Sequence, residues 1–221
     1  MILLGEERKE RTKEGVFILN IQILIYNGFD ELDAIAPFEV FQLAANFGAQ
    51  LQTEFVTLDG LEEVVAQHGL RVSVTGRFDE RADVVLIPGG GWVAHAAQGA
   101  WAEAQRGVVP EVLMRFHCAG KTIAAVCTGT MLVATNGLLQ GRNAITHHQA
   151  VKELREAGAH VINARVVDAG ELITAGGVTS GLDLALWVVE RSFGSAIAVA
   201  IEQSLEYQRR GTVWRRPDPS K

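Results

Sequence analysis

The sequence predicts an α/β domain built on a mostly parallel sheet with helices on both faces. Three observations point there. Short apolar runs alternate with helix-length segments along most of the chain. The runs are apolar at nearly every position, as in "VVLI" and "TIAAV", which is how strands buried on both faces read. Glycine-bearing turns punctuate them, and 23 glycines among 221 residues fit many tight turns rather than disorder.

Residues 1–18 read as a polar extension ahead of the domain. "NIQILIYNGFD" supplies a buried strand from Asn20, ending at a turn with Asn27 and Gly28. "DELDAIAPFEVFQLAANFG" is apolar nearly all round and stops at Gly48, so it reads as a largely buried helix. Pro37 is tolerated if it falls in the first turn or so; deeper inside it would kink the helix. "TEFVTLDG" is a second strand, and "VVAQHGLRVSVTG" a hairpin turning at His68 and Gly69. "ADVVLIPGGG" is a continuous apolar strand running into glycines. Residues 100–118 form a helix interrupted near Gly107 to Pro110, followed by the strand "KTIAAV" and a helix over 128–137. "NAITHH" reads as a strand and "QAVKELREAGA" as an amphipathic helix; "HVINARVVDAGELITAGG" gives short strands about a turn at Ala169 and Gly170. "LDLALWVVERSFG" and "SAIAVAIEQSLEYQRR" are two closing helices. Residues 209–221 read as a solvated tail, which leaves 19–208 as one domain.

Composition excludes several function classes. The formal charge is −6, and a nucleic-acid binder wants a concentrated basic face; Arg209, Arg210, Arg215 and Arg216 are a local exception near the C-terminus. The N-terminal "MILL" is too short for the apolar core of a secretory signal, and no window offers ~18 consecutive apolar residues to span a membrane. A cytoplasmic protein is expected. Cys118 and Cys127 fit reduced thiols better than a disulfide framework, and no ligand spacing surrounds them, so no metal is expected.

Parallel sheets bind and react where loops converge at the carboxyl ends of their strands. Three loops qualify: "NGFDELD", "PGGG" and "CTG". Cys127 sits between "AAV" and "TGTMLVATNG", the strand-turn-helix setting of a nucleophile elbow, with small neighbours Ala125 and Gly129. The positive end of the following helix is expected to lower the thiol pKa, and Thr128 to cap that helix. Cys118, at a helix end, reads as a space-filling residue. Glycines 89–91 let the backbone approach a ligand and aim N–H groups at developing charge, as can Thr128. The opening loop offers Asp30, Glu31 and Asp33, with Glu39 beyond; a carboxyl facing a thiol works as an acid when it carries the proton. Asp30 and Glu31 are better read as decorating a helix start.

Taken together, "LDAIAPFEV", "VVLIPGGG", "AAVCTGTMLVATNGLLQGRNAITHH" and "LITAGGVTSGLDLALWVVE" resemble the DJ-1/PfpI superfamily, most closely its isocyanide hydratase branch, over roughly Ile21 to Tyr207. The resemblance implies a flavodoxin-like three-layer α/β sandwich and a homodimer. It places the nucleophile on Cys127, the neighbouring acid on Asp33, and backbone donors on Gly90 and Thr128. Threonine after the cysteine matches the hydratases, whereas the peptidase-like branch has histidine there. The implied reaction adds water to a small isocyanide through a Cys127 thioimidate, without a cofactor. Gly89, Gly91, Trp92 and His147 are the expected pocket residues, with His147 a wall rather than a catalyst; Asp183 reads as a helix-start residue. Trp101 and Trp187 read as core. The segment "GGGWVAHAAQGAW" departs from the hydratase form. Two other readings attach to the same superfamily: a sensor domain like those of AraC-type transcription regulators, and a stress protein whose cysteine oxidises.

Overall fold

A computed structural model describes residues 17–74 and 76–216. The extension expected over residues 1–18 therefore lies almost wholly outside the described residues.

The first strand, β1 (Leu19–Leu24), leads to α1 (Glu31–Asn46), β2 (Leu51–Thr57) and the small hairpin β3 (Glu63–Val65) and β4 (Arg71–Ser73). Then come β5 (Gly76–Arg77), β6 (Val84–Ile87), α2 (Ala100–Arg106), α3 (Val108–Cys118), β7 (Thr122–Val126) and α4 (Gly129–Thr135). The chain continues through β8 (Asn143–Ala144), α5 (Val151–Glu156), β9 (His160–Val161), β10 (Val166–Asp168) and β11 (Leu172–Ala175). It ends in α6 (Ser180–Phe193), α7 (Ser195–Ser204) and β12 (Trp214–Arg215).

Eight strands form the main sheet in the order β12-β10-β11-β7-β6-β1-β2-β5, parallel throughout except where β10 meets β11. Helices α1, α6 and α7 pack together, and α2, α3 and α4 form a second group, giving the three-layer α/β sandwich expected. The continuous apolar strands have their predicted cause: every residue of β6 and β11 is buried, as is β7 from Ile123 onward.

Four local expectations are corrected. Pro37 lies well inside α1, so the carbonyl of Asp33 loses its usual i+4 N–H partner. The proline ring packs against Gly181 of α6, where a Cβ would stand 3.4 Å from Pro37 Cγ. The "NAITHH" strand is only two residues long, because the N–H of Ile145 donates to Thr174 Oγ1 (3.0 Å) instead of continuing a ladder. The last helix stops at Ser204, and Glu206 adopts a left-handed φ of 49°.

The tail is the fourth correction, for residues 209–216 fold onto the domain. Arg209 pairs with Glu190 and Glu202, and the Arg210 N–H donates to Asp183 Oδ1 (3.0 Å). Trp214 and Arg215 add an edge strand beside β10, with the Arg215 guanidinium 5.5 Å from the centre of the Trp187 ring. A two-residue strand has no periodicity to read, and its arginines look solvated when their acidic partners are distant in sequence.

Register brings the candidate loops together. Ala125 of β7 pairs with Ile87 of β6, and Leu86 pairs with Ile23 of β1, so the segments after these strands emerge side by side. Their backbones then come very close. A Cβ at Gly129 would stand 2.4 Å from the Ile87 carbonyl oxygen. Gly129→Ala is therefore expected to lower stability by roughly 1–3 kcal/mol through overpacking, read as a reduced midpoint in urea.

Candidate active site

Cys127 closes β7 at a backbone φ of +56°, the left-handed region that disfavours a side chain, and the turn holds it there. Its N–H donates to the carbonyls of Ala175 (3.1 Å) and Gly176 (3.0 Å), and its own carbonyl accepts from Thr146 Oγ1 (2.8 Å). The side chain is 6% exposed and belongs to the core, yet the backbone N–H groups of Val178 and Thr128 point at its sulfur.

The carboxyl facing it is Asp33, fully buried in the first turns of α1. Asp33 Oδ2 accepts the Gly89 N–H at 2.9 Å. Its Oδ1 is buried without a formed hydrogen bond, and the carboxyl's remaining interaction is with the Cys127 thiol. Burial, and then the charge of Asp30, push the Asp33 carboxyl well above the ordinary carboxylate range. Asp33 is thus favoured as the neutral acid. Asp30 caps α1 by accepting the Leu32 N–H, and Glu31 binds His68 (2.7 Å), so neither faces the sulfur as a second acid.

The expectation of a lowered thiol pKa is overturned. Burial first, and the Asp33 charge second, raise the Cys127 thiol, and the N–H groups of Val178 and Thr128 offset only part of this. The helix behind it, α4, has only seven residues, so its dipole is a weak counterweight. The two groups titrate as a pair: when Asp33 is protonated, its contribution to the rise in the thiol pKa vanishes.

The glycine loop also works differently from expectation. The Gly89 N–H serves Asp33, the Gly90 N–H donates to Thr128 Oγ1 (3.0 Å), and the Gly91 N–H donates to Gln67 Oε1 (2.9 Å). All three donors are spent on building the site. A Cβ at Gly89 would lie 2.6 Å from the Thr128 nitrogen, so glycine is required there for contact between the two loops. The Thr128 hydroxyl makes no cap on α4; it is the acceptor that ties the glycine loop to the cysteine turn. Trp92 is a strut, its Nε1 donating to Glu153 Oε2 (2.7 Å) and its ring edge-on to Trp101 at 5.2 Å. His147 is half-buried against Gly177 and its imidazole is held neutral, chiefly by burial. Asp183 lies in the first turn of α6, as expected of a helix-start residue, and pairs with Arg165. Cys118 is exposed at the end of α3, contrary to the buried filler expected.

Sequence reasoning missed Val178, Thr146 and Tyr26. "GGVTSG" signals a turn after β11, but not that Val178 adopts a φ of 43° and turns its N–H to the sulfur. Tyr26, buried after β1, donates its hydroxyl hydrogen to the Pro88 carbonyl. That carbonyl belongs to the same peptide unit as the Gly89 N–H on Asp33, so one donor polarises the next. Tyr26→Phe is expected to leave the Pro88 carbonyl unpaired, raise the Asp33 pKa further and cost roughly 1–3 kcal/mol. The measurements are the pH profile of Cys127 alkylation, with its inflection moved downward because Asp33 stays uncharged to higher pH, and urea unfolding.

Among the described residues no cluster could hold a metal ion, and no helix is long and apolar enough to cross a membrane. The parts define an α/β protein with a buried thiol–carboxyl pair at the carboxyl edge of a mostly parallel sheet. Residues 20–191 match the DJ-1/PfpI family, and the chain belongs to it. It is 30% identical over 191 residues to an isonitrile hydratase of Pseudomonas putida, covering 86% of this chain and 78% of that protein. It is 26% identical to the Parkinson disease protein 7 homolog of Danio rerio, over 83% of this chain and 94% of that one. A ThiJ/PfpI family protein from Pseudomonas syringae superimposes with a TM-score of 0.77 at 26% identity, covering 96% of this chain and 83% of the other.

Proposed function

We propose that the protein is a cysteine-dependent hydratase that adds water to a small isonitrile, R–N≡C, to give the N-substituted formamide. The observation that carries this reading is the burial of Asp33 as a neutral acid against the Cys127 thiol. Isonitrile carbon accepts a nucleophile and a proton on the same atom, so a thiol paired with a proton carrier suits it. The likeness to an isonitrile hydratase supports the same chemistry.

In this reading the Cys127 sulfur bonds to the terminal carbon while a proton from the thiol–carboxyl pair is delivered to it, giving the thioimidate R–N=CH–S–Cys127. Asp33, left holding the second proton of the pair, passes it to the thioimidate nitrogen and takes one from water as the water oxygen bonds to the same carbon. The hydroxyl proton of R–NH–CH(OH)–S–Cys127 then passes through Asp33 to the sulfur as the C–S bond breaks, and R–NH–CHO leaves with the thiol and the acid both restored. Val178 and Thr128 N–H groups stabilise the sulfur when it bears charge, the part expected of Gly90 and Thr128. A homodimer acting on a small molecule, with no cofactor, completes the proposal. A low-pKa redox sensor fits less well, because the Cys127 thiol is both buried and raised.

The test is incubation of the protein with an alkyl isonitrile while the formyl proton of the product is followed by NMR. Turnover supports the hydratase; an inert wild type across alkyl and aryl isonitriles would overturn it.

A further inference from the structure

A groove of about 910 Å³ opens beside the cysteine turn. Thr146 and Val178, the residues that touch Cys127 through a hydroxyl and an N–H, are among its lining. Among the described residues, Arg165, Arg210 and Arg215 are part of the rest of its lining and no aspartate or glutamate is, in a chain whose formal charge is −6. The nearest relevant acid, Asp183, is already occupied. It binds Arg165 (2.6 Å), the Tyr207 hydroxyl (3.0 Å) and the Arg210 N–H (3.0 Å). Arg165 is neutralised by that contact, whereas the exposed Arg210 guanidinium has no partner among the described residues. Arg215, whose guanidinium lies 5.5 Å from the centre of the Trp187 ring, lines both this groove and a neighbouring one that carries Asp168, Glu171 and Glu190. The N-terminal end of the fourteen-residue α6 reaches the same space through Ser180, adding a positive end of a helix dipole.

A concave surface of one sign beside a reactive group concentrates ligands of the other sign. We propose that this groove selects substrates bearing an anionic group, a carboxylate being the simplest, held by Arg210 and Arg215 while the reactive end reaches Cys127. The isonitrile at that end rests on the hydratase reading; the anion preference does not. The segment that supplies these arginines is the one the sequence presents as a tail, so the fold brings it to the site through β12.

The experiment uses isocyanoacetate and its neutral methyl ester as probes, titrated by calorimetry into the Cys127→Ser protein so that no chemistry intervenes. The carboxylate is expected to bind about tenfold more tightly than the ester at low ionic strength, with the preference shrinking as salt screens exposed charge. Arg210→Gln with Arg215→Gln should bring the ratio close to one and leave the ester's affinity unchanged, which also shows that the variant is folded. Equal binding of both probes, no binding of either, or a preference that survives in the double variant overturns the proposal. Turnover of the ester by wild type reports on the hydratase reading separately.

Discussion

Cys127→Ala is expected to abolish formamide production from an alkyl isonitrile, at least about a thousandfold in kcat/KM, because nothing else near the site can form the covalent intermediate. The variant should fold. Alanine keeps a side chain at φ +56°, so the backbone strain is unchanged, and the hydrogen bonds to Ala175, Gly176 and Thr146 are all made by the main chain of residue 127. A methyl in place of a thiol loses little packing. Circular dichroism and urea unfolding close to wild type, with no formyl signal by NMR, are the expected pair of results. Turnover persisting in this variant would remove the nucleophile from the mechanism.

Asp33→Asn is expected to lose about 10²–10⁴ in turnover, since an amide can neither give nor take the proton at the isonitrile carbon. Two further effects separate this variant from a merely damaged site. First, the amide carries no charge, so the thiol pKa should fall, and alkylation of Cys127 should reach its plateau at lower pH than in wild type. Second, the dependence of stability on pH should change. Asp33 holds its proton more tightly in the fold than at its ordinary value of 3.8, so its contribution is fully present below pH 3.8. It is lost as pH rises through the raised folded value, where the buried carboxyl must ionise. The amide does not titrate. The variant should therefore gain stability relative to wild type between acid and neutral pH, measured by urea unfolding at a series of pH values. A difference that stays constant with pH would mean that Asp33 is not held protonated by the fold.

The sequence makes some of this legible, for physical reasons that particular residues show. Strands buried on both faces lose alternation and become apolar runs, so β6 and β7 are visible, and with them the parallel sheet and the edge where its loops converge. Cys127 is legible because a small-residue strand running into a helix has few other uses for a thiol at the junction. The direction of each hydrogen bond is not legible. Nothing in "PGGG" says that its three N–H groups are spent on Asp33, Thr128 and Gln67, or that Val178 supplies a donor to the sulfur instead. Backbone conformation decides those partners, and residue type constrains it only weakly at a valine. The direction of the thiol shift was likewise hidden, because a helix start suggests stabilisation of an anion. Burial depth and the approach of Asp33, from a strand and a helix away, reverse it. The tail misled for a related reason, since Arg209 and Arg210 owe their order to Glu190, Glu202 and Asp183 on two helices.

The left-handed backbone at Cys127 makes the reactive position a mild burden on folding. Holding a non-glycine residue there costs roughly 1–2 kcal/mol, of which a glycine would give back part after its own larger entropy loss. A library selected only for thermal robustness should therefore drift toward glycine at position 127, and one selected for turnover should return to cysteine.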